Sequence, residues 1–115
     1  RFRVDCSMRT HQEIDMRSLA LHRLVADKVR RDAALLDRAK EIVQRWHQTA
    51  SPRTFVYLDA WQDLLEKGEE ACLAAATEES EWANAMRQAS PLACLLTHQE
   101  RFAFLKQWSQ SHASQ

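Results

Sequence analysis

Apolar residues recur at three- and four-residue intervals along most of this chain, the period of an amphipathic helix and not the alternation of a strand. From about Thr10 to Arg31, Ile14, Leu21, Leu24, Val25 and Val29 share one face, while Met16 and Leu19 fall almost opposite. A helix that is apolar on two sides is central in a bundle or shared with another chain. Asp32 reads as the N-cap of a second helix, "DAALLDRAKEIVQRW", whose Leu35, Leu36, Ala39, Ile42, Val43 and Trp46 form an unbroken stripe.

"HQTASPRT" is the clearest linker, and Ser51-Pro52 suits a cap followed by proline at the first helical position. The third pattern, "TFVYLDAWQDLLEKG", places Tyr57, Leu58, Trp61, Leu64 and Leu65 together. It ends at Gly68, a residue suited to the left-handed position after a helix. A short segment of small residues, "EEACLAAA", comes next. Thr77 is then expected to open "TEESEWANAMRQAS", with Trp82, Ala85, Met86 and Ala89 facing inward. Ser90-Pro91 starts the apolar turn "PLACLL". The last helix, "HQERFAFLKQW", carries Arg101, Phe102, Leu105 and Trp108 at helical spacing.

These elements predict an all-α fold: a compact bundle of five or six helices forming a single domain over residues 8–109. Met8 offers a natural start, so residues 1–7 are expected to be disordered or vector-derived, and residues 110–115 a frayed polar tail. Leu36, Ile42, Trp46, Leu58, Trp61 and Leu105 are the expected core. The four tryptophans, Trp46, Trp61, Trp82 and Trp108, are expected to form one aromatic cluster.

Composition agrees with this picture. One glycine and two prolines in 115 residues are too few for the turns of a multi-stranded fold, and 45% apolar with 28% charged residues is ordinary for a globular chain. The 16 basic and 16 acidic residues cancel, but unevenly. Residues 1–31 hold eight basic and four acidic side chains, and residues 59–81 hold eight acidic ones against Lys67 alone. An odd set of cysteines, Cys6, Cys72 and Cys94, without a CxxC pair points to a reducing, cytoplasmic compartment. No apolar run approaches a membrane span.

The tetrapeptide "THQE" occurs at Thr10–Glu13 and again at Thr97–Glu100. It has the form of a capping box, in which the threonine accepts from the N3 amide and the glutamate reaches back to the N-cap amide. Thr10 with Glu13, and Thr97 with Glu100, are therefore read as helix caps. His11 and His98 lie two residues before a glutamate, whereas ligands on one helical turn need a spacing of three or four. No metal, cofactor or catalytic group is assigned. One glycine leaves no phosphate-cradling loop, and no Ser-His-Asp grouping is legible.

The remaining features point to association. Met16 and Leu19, with Arg17, Arg23, Arg30 and Arg31 around them, would complement the acidic stretch, which contains Trp61 and is followed directly by Trp82. An apolar contact rimmed by opposite charges is the anatomy of a specific interface. The partner is expected to be another protein or a second copy, with a homodimer favoured. Zero net charge argues against nucleic acid. The alternatives are a DNA-associated regulator, using the cations of the first helix, and a small all-helical enzyme.

Two resemblances bear on these classes. "EIDMRSLALHRLVADKVRRD" resembles the first helix of the all-helical chorismate mutases, with Arg17, Arg23 and Lys28 as its only candidate ligand residues. The later ligand residues of that family are not found in this chain. "EIDMRSLALHRLVADKV" together with "TEESEWANAMRQASPLACLLTHQERFAFL" resembles short, uncharacterised bacterial all-helical proteins associated with toxin–antitoxin or defence-type gene pairs. That resemblance implies a small bacterial partner protein of antitoxin-like kind, and carries no residue roles.

Overall fold

Nothing between Phe2 and Arg31 breaks a helix, and the chain forms one throughout: α1 (Phe2–Arg31) is 30 residues long. The computed structural model describes residues 2–112, with side chains over 12–111. It continues with α2 (Leu35–Thr49), α3 (Pro52–Lys67), α4 (Glu69–Ala76), α5 (Glu81–Gln88), a 3-10 turn (Pro91–Leu95) and α6 (His98–His112). The all-helical expectation holds, with six α-helices and no strand among the described residues.

Several boundaries differ from the sequence reading. Thr10 lies within α1 and does not start it. A capping box ends a helix only where the backbone departs from helical geometry, and the residues before Thr10 include neither Gly nor Pro. Residues 2–7, expected to stand outside the domain, continue the α1 backbone, while Arg1 lies outside the described residues. At the other end α6 reaches His112, and residues 113–115 of the expected tail lie outside the described residues.

Asp32 closes α1 and does not cap α2. Its N–H donates to the carbonyls of Lys28 and Val29, both at 3.0 Å. Ala34 precedes α2 with no side-chain cap. Thr77 likewise ends α4, its hydroxyl donating to the Leu73 carbonyl at 2.8 Å. The cap of α5 is Ser80, which accepts the Ala83 N–H at 3.1 Å.

Gly68 sits between α3 and α4 at φ 121, ψ 178. It is the only described residue with positive φ. Its N–H donates to the Leu64 carbonyl at 3.2 Å and its carbonyl accepts from Cys72 at 3.1 Å, so one residue ends one helix and begins the next. A Cβ there would meet no atom within 4 Å, so the need for glycine is conformational and not steric.

The core gathers Leu21, Val25 and Val29 of α1 with Ala39 and Val43 of α2. Leu58, Trp61 and Leu65 of α3, Leu73 of α4, Met86 of α5, and Leu92 and Leu95 of the 3-10 turn complete it. Trp61 is fully buried, and its indole N–H is satisfied by the Met86 carbonyl at 2.8 Å. Leu36, Ile42 and Leu58 are buried as expected. The single aromatic cluster does not form. Trp46 and Trp108 are half-buried and Trp82 is 53% exposed beside Tyr57, their ring centroids 5.5 Å apart. The buried side of α5 is Ala83, Met86 and Arg87, which turns Trp82 outward.

Candidate protein-interaction surface

Helix α6 is fixed mainly at its first turn. The Thr97 N–H donates to Glu100 Oε1 at 2.8 Å, and the Glu100 N–H donates to Thr97 Oγ1 at 3.1 Å, so both bonds of the second capping box are made. Lys28 Nζ, from α1, donates to the Leu95 carbonyl at 3.0 Å and to Glu100 Oε1. The Arg101 guanidinium donates to the Ala93 carbonyl at 2.7 Å. The ammonium bond from Lys28, followed by the Thr97 amide, holds the Glu100 carboxyl below the usual carboxylate range.

Beyond that turn α6 carries a broad apolar arc. At about 100° per residue, Trp108 lies about 40° from Phe104, Leu105 about 60° beyond Trp108, and Phe102 nearly opposite Phe104. Phe104 and Trp108 are half-buried and stack with centroids 6.1 Å apart. Phe102 is 72% exposed and Leu105 36%. Leu105 was expected in the core. The 3-10 turn docks the Glu100–Phe104 side of α6 toward α1, which leaves Leu105 on the far side. There His98, Gln99, Arg101, Phe102 and Leu105 line a shallow, mostly apolar depression.

On its inner side α6 runs beside α1, and the two leave a mostly apolar trough of about 510 Å³. Arg23, Leu24, Asp27, Lys28 and Arg31 form the α1 wall. Leu96 and then Glu100, Ala103, Phe104 and Gln107 form the other.

The sequence-predicted contact residues distribute as follows. Trp61 is core and belongs to no surface. Met16 is 56% exposed and Leu19 half-buried. Both border a depression whose other side is Glu79, Ser80, Glu81, Asn84 and Arg87 of the same chain. The basic and acidic segments therefore already meet within one molecule, and Arg23 approaches Glu79 at 3.7 Å. Arg30 pairs with Asp27 at 3.3 Å. Arg17 and Arg31 are exposed, as is Glu13; the side chain of Thr10 lies outside the described residues. Trp82 lies apart from these groups, over α3.

Two buried polar groups invite a catalytic reading. His22 Nδ1–H donates to the Ser18 carbonyl at 2.7 Å, and Nε2 accepts from the Ser90 hydroxyl at 2.8 Å. Ser90 Oγ in turn accepts the Leu92 N–H at 3.1 Å and caps the 3-10 turn. Both residues are buried, and a carbonyl stands where a catalytic pair would have a carboxylate. The pair is a structural tie between α1 and the turn. Arg87, also buried, clasps the α4–α5 corner: Nη1 donates to the carbonyls of Ala76 at 3.0 Å and Glu78 at 2.8 Å, and Nη2 to Asn84. Among the described residues, no three His, Cys, Asp or Glu side chains converge as metal ligands. No described helix is long and apolar enough to cross a membrane.

No family model matches this chain, and neither a curated protein nor a solved structure is found to be similar to it.

Proposed function

We propose that this chain is a non-catalytic protein-interaction module, a regulatory partner of another protein, and that α6 with the adjoining edge of α1 is its contact surface. The exposure of Phe102, beside Leu105 and nearly opposite the half-buried Phe104, supports this reading most strongly. Covering a phenylalanine side chain is worth about 1.5–3 kcal/mol, and aromatic anchors of this kind dominate interface energetics. The flanking Arg101, Lys106 and His98 supply the polar rim such a patch has in known interfaces.

A DNA-associated role has less support. Of the α1 cations that would contact phosphates, Arg23, Lys28 and Arg30 already face carboxylates of their own chain. The unpaired Cys72 and Cys94 fit a reducing compartment, and we place the protein in a bacterial cytoplasm.

Affinity capture from the source cell tests the proposal. The full chain and its Phe102→Glu/Leu105→Glu variant serve as parallel baits, with far-UV circular dichroism to confirm that both are folded. A partner held by the first and lost by the second supports the proposal. Identical captured sets from both would overturn it.

A further inference from the structure

Resting on the interaction reading above, we infer that the trough between α1 and α6 receives an amphipathic helix of a partner protein whose apolar stripe is edged by carboxylates.

The shape of the trough sets the first requirement. Its α1 wall runs from Arg23 to Arg31, eight residues apart. At 1.5 Å per residue that is about 12 Å, or two helical turns. The α6 wall, from Glu100 to Gln107, follows the i, i+3, i+4, i+7 stripe of one helix face. An open trough two turns long, walled by two helices, suits a third helix laid along it, with anchors at i, i+3 or i+4, and i+7. Its apolar lining is Leu24, Leu96, Ala103 and Phe104, which calls for apolar anchors.

Charge sets the second. Lys28 and Glu100 are spent on each other at the base of α6. Asp27 is engaged by Arg30. Arg31 has no ion-pair or hydrogen-bond partner among the described residues, and Arg23 meets Glu79 only at 3.7 Å, with both side chains more than half exposed. Such an exposed contact is weak and readily exchanged. The α1 wall therefore offers two available guanidinium groups two turns apart. Their complement is a pair of carboxylates at i and i+7 on the edge of the incoming helix. Lys28, Arg30 and Arg31 also offset the negative end of the α1 dipole, but that role does not require the trough beside them.

Two synthetic peptides of about five turns probe this directly. Both carry leucine and phenylalanine at i, i+3/i+4 and i+7. One has glutamate along the edge, and the other has lysine at the same positions. Fluorescence anisotropy against the full chain should give at least tenfold tighter binding of the glutamate peptide, weakening with salt. Arg23→Glu/Arg31→Glu should reverse the order of the two peptides, with the thermal melt confirming a folded variant. Equal binding of both peptides, binding of neither, or an order unchanged by the double variant would overturn the inference. So would concentration-dependent self-association that excludes the peptide, because the occupant would then be a second copy. If the Phe102/Leu105 variant loses a captured cellular partner while the Arg23/Arg31 variant retains it, the interaction reading stands and the trough inference falls.

Discussion

Acidification should weaken this fold in a way that one residue controls. His22 is pushed down from 6.5 to about 4, chiefly by burial. The positive charges of Arg87 and Arg101 act in the same direction, and the bond to the Ser18 carbonyl opposes them. Protonation would also turn Nε2 into a second donor, facing a Ser90 hydroxyl that must then reorient. Because the folded value lies below the unfolded one, the unfolded chain binds the proton first. The contribution of His22 to stability is complete above pH 6.5 and is lost progressively as the pH falls toward 4. Each unit is worth 1.36 kcal/mol, so the loss between pH 7 and pH 5 is about 2 kcal/mol. It approaches about 3 kcal/mol by pH 4. Acid also neutralises carboxylates throughout the chain, so the comparison must be differential. Urea unfolding of the parent and of His22→Gln at pH 7 and pH 5 should show the parent losing about 2 kcal/mol more than the variant. Equal losses would mean that His22 accepts a proton within the folded protein, and the buried neutral tie to Ser90 would be wrong.

Other outcomes are equally specific. Thr97→Ala should cost about 1 kcal/mol in chemical denaturation, since the Glu100 amide loses its acceptor. Thr10→Ala, inside α1, should be neutral or stabilising by a few tenths of a kcal/mol, roughly the difference in helix propensity. Gly68→Ala should cost about 1–3 kcal/mol by forcing a side chain into a positive-φ conformation. A neutral result in the thermal melt would show that this turn relaxes to negative φ.

The fold class was legible because the signals were redundant: period, scarce glycine and cap residues all pointed to helices. Boundaries were legible where one device acted alone, as at Ser51-Pro52 and Thr97–Glu100. They were misread where two devices competed. Asp32 and Thr77 have the chemistry of N-caps, yet each ends the preceding helix, and only tertiary packing decides which helix such a residue serves. The two "THQE" copies make the same point: identical residues form a cap after the 3-10 turn and lie inside a helix within α1.

The surface was half legible. Apolar residues at 102, 104, 105 and 108 spread over about 160° of the helix, too broad an arc for one neighbour to cover, and that breadth is present in the sequence. Which pair would turn outward depended on how the Pro91–Leu95 turn docks α6, and spacing does not carry that information. Trp61 and Trp82 looked alike as candidate anchors. The Met86 carbonyl that satisfies the Trp61 indole comes from 25 residues away, so nothing local marked one as core and the other as surface. The buried Arg87 gave no signal, because its three bonded partners are assembled only by the α4–α5 corner.

Photo-crosslinking in the source cell tests the interaction reading most directly. Benzoylphenylalanine is introduced in place of Phe102 on α6 and, as an exposed apolar control, in place of Val56 on α3. Irradiation should give a discrete protein adduct from position 102 and none from position 56. No adduct from position 102, or the same adducts from both positions, would contradict a contact surface on α6.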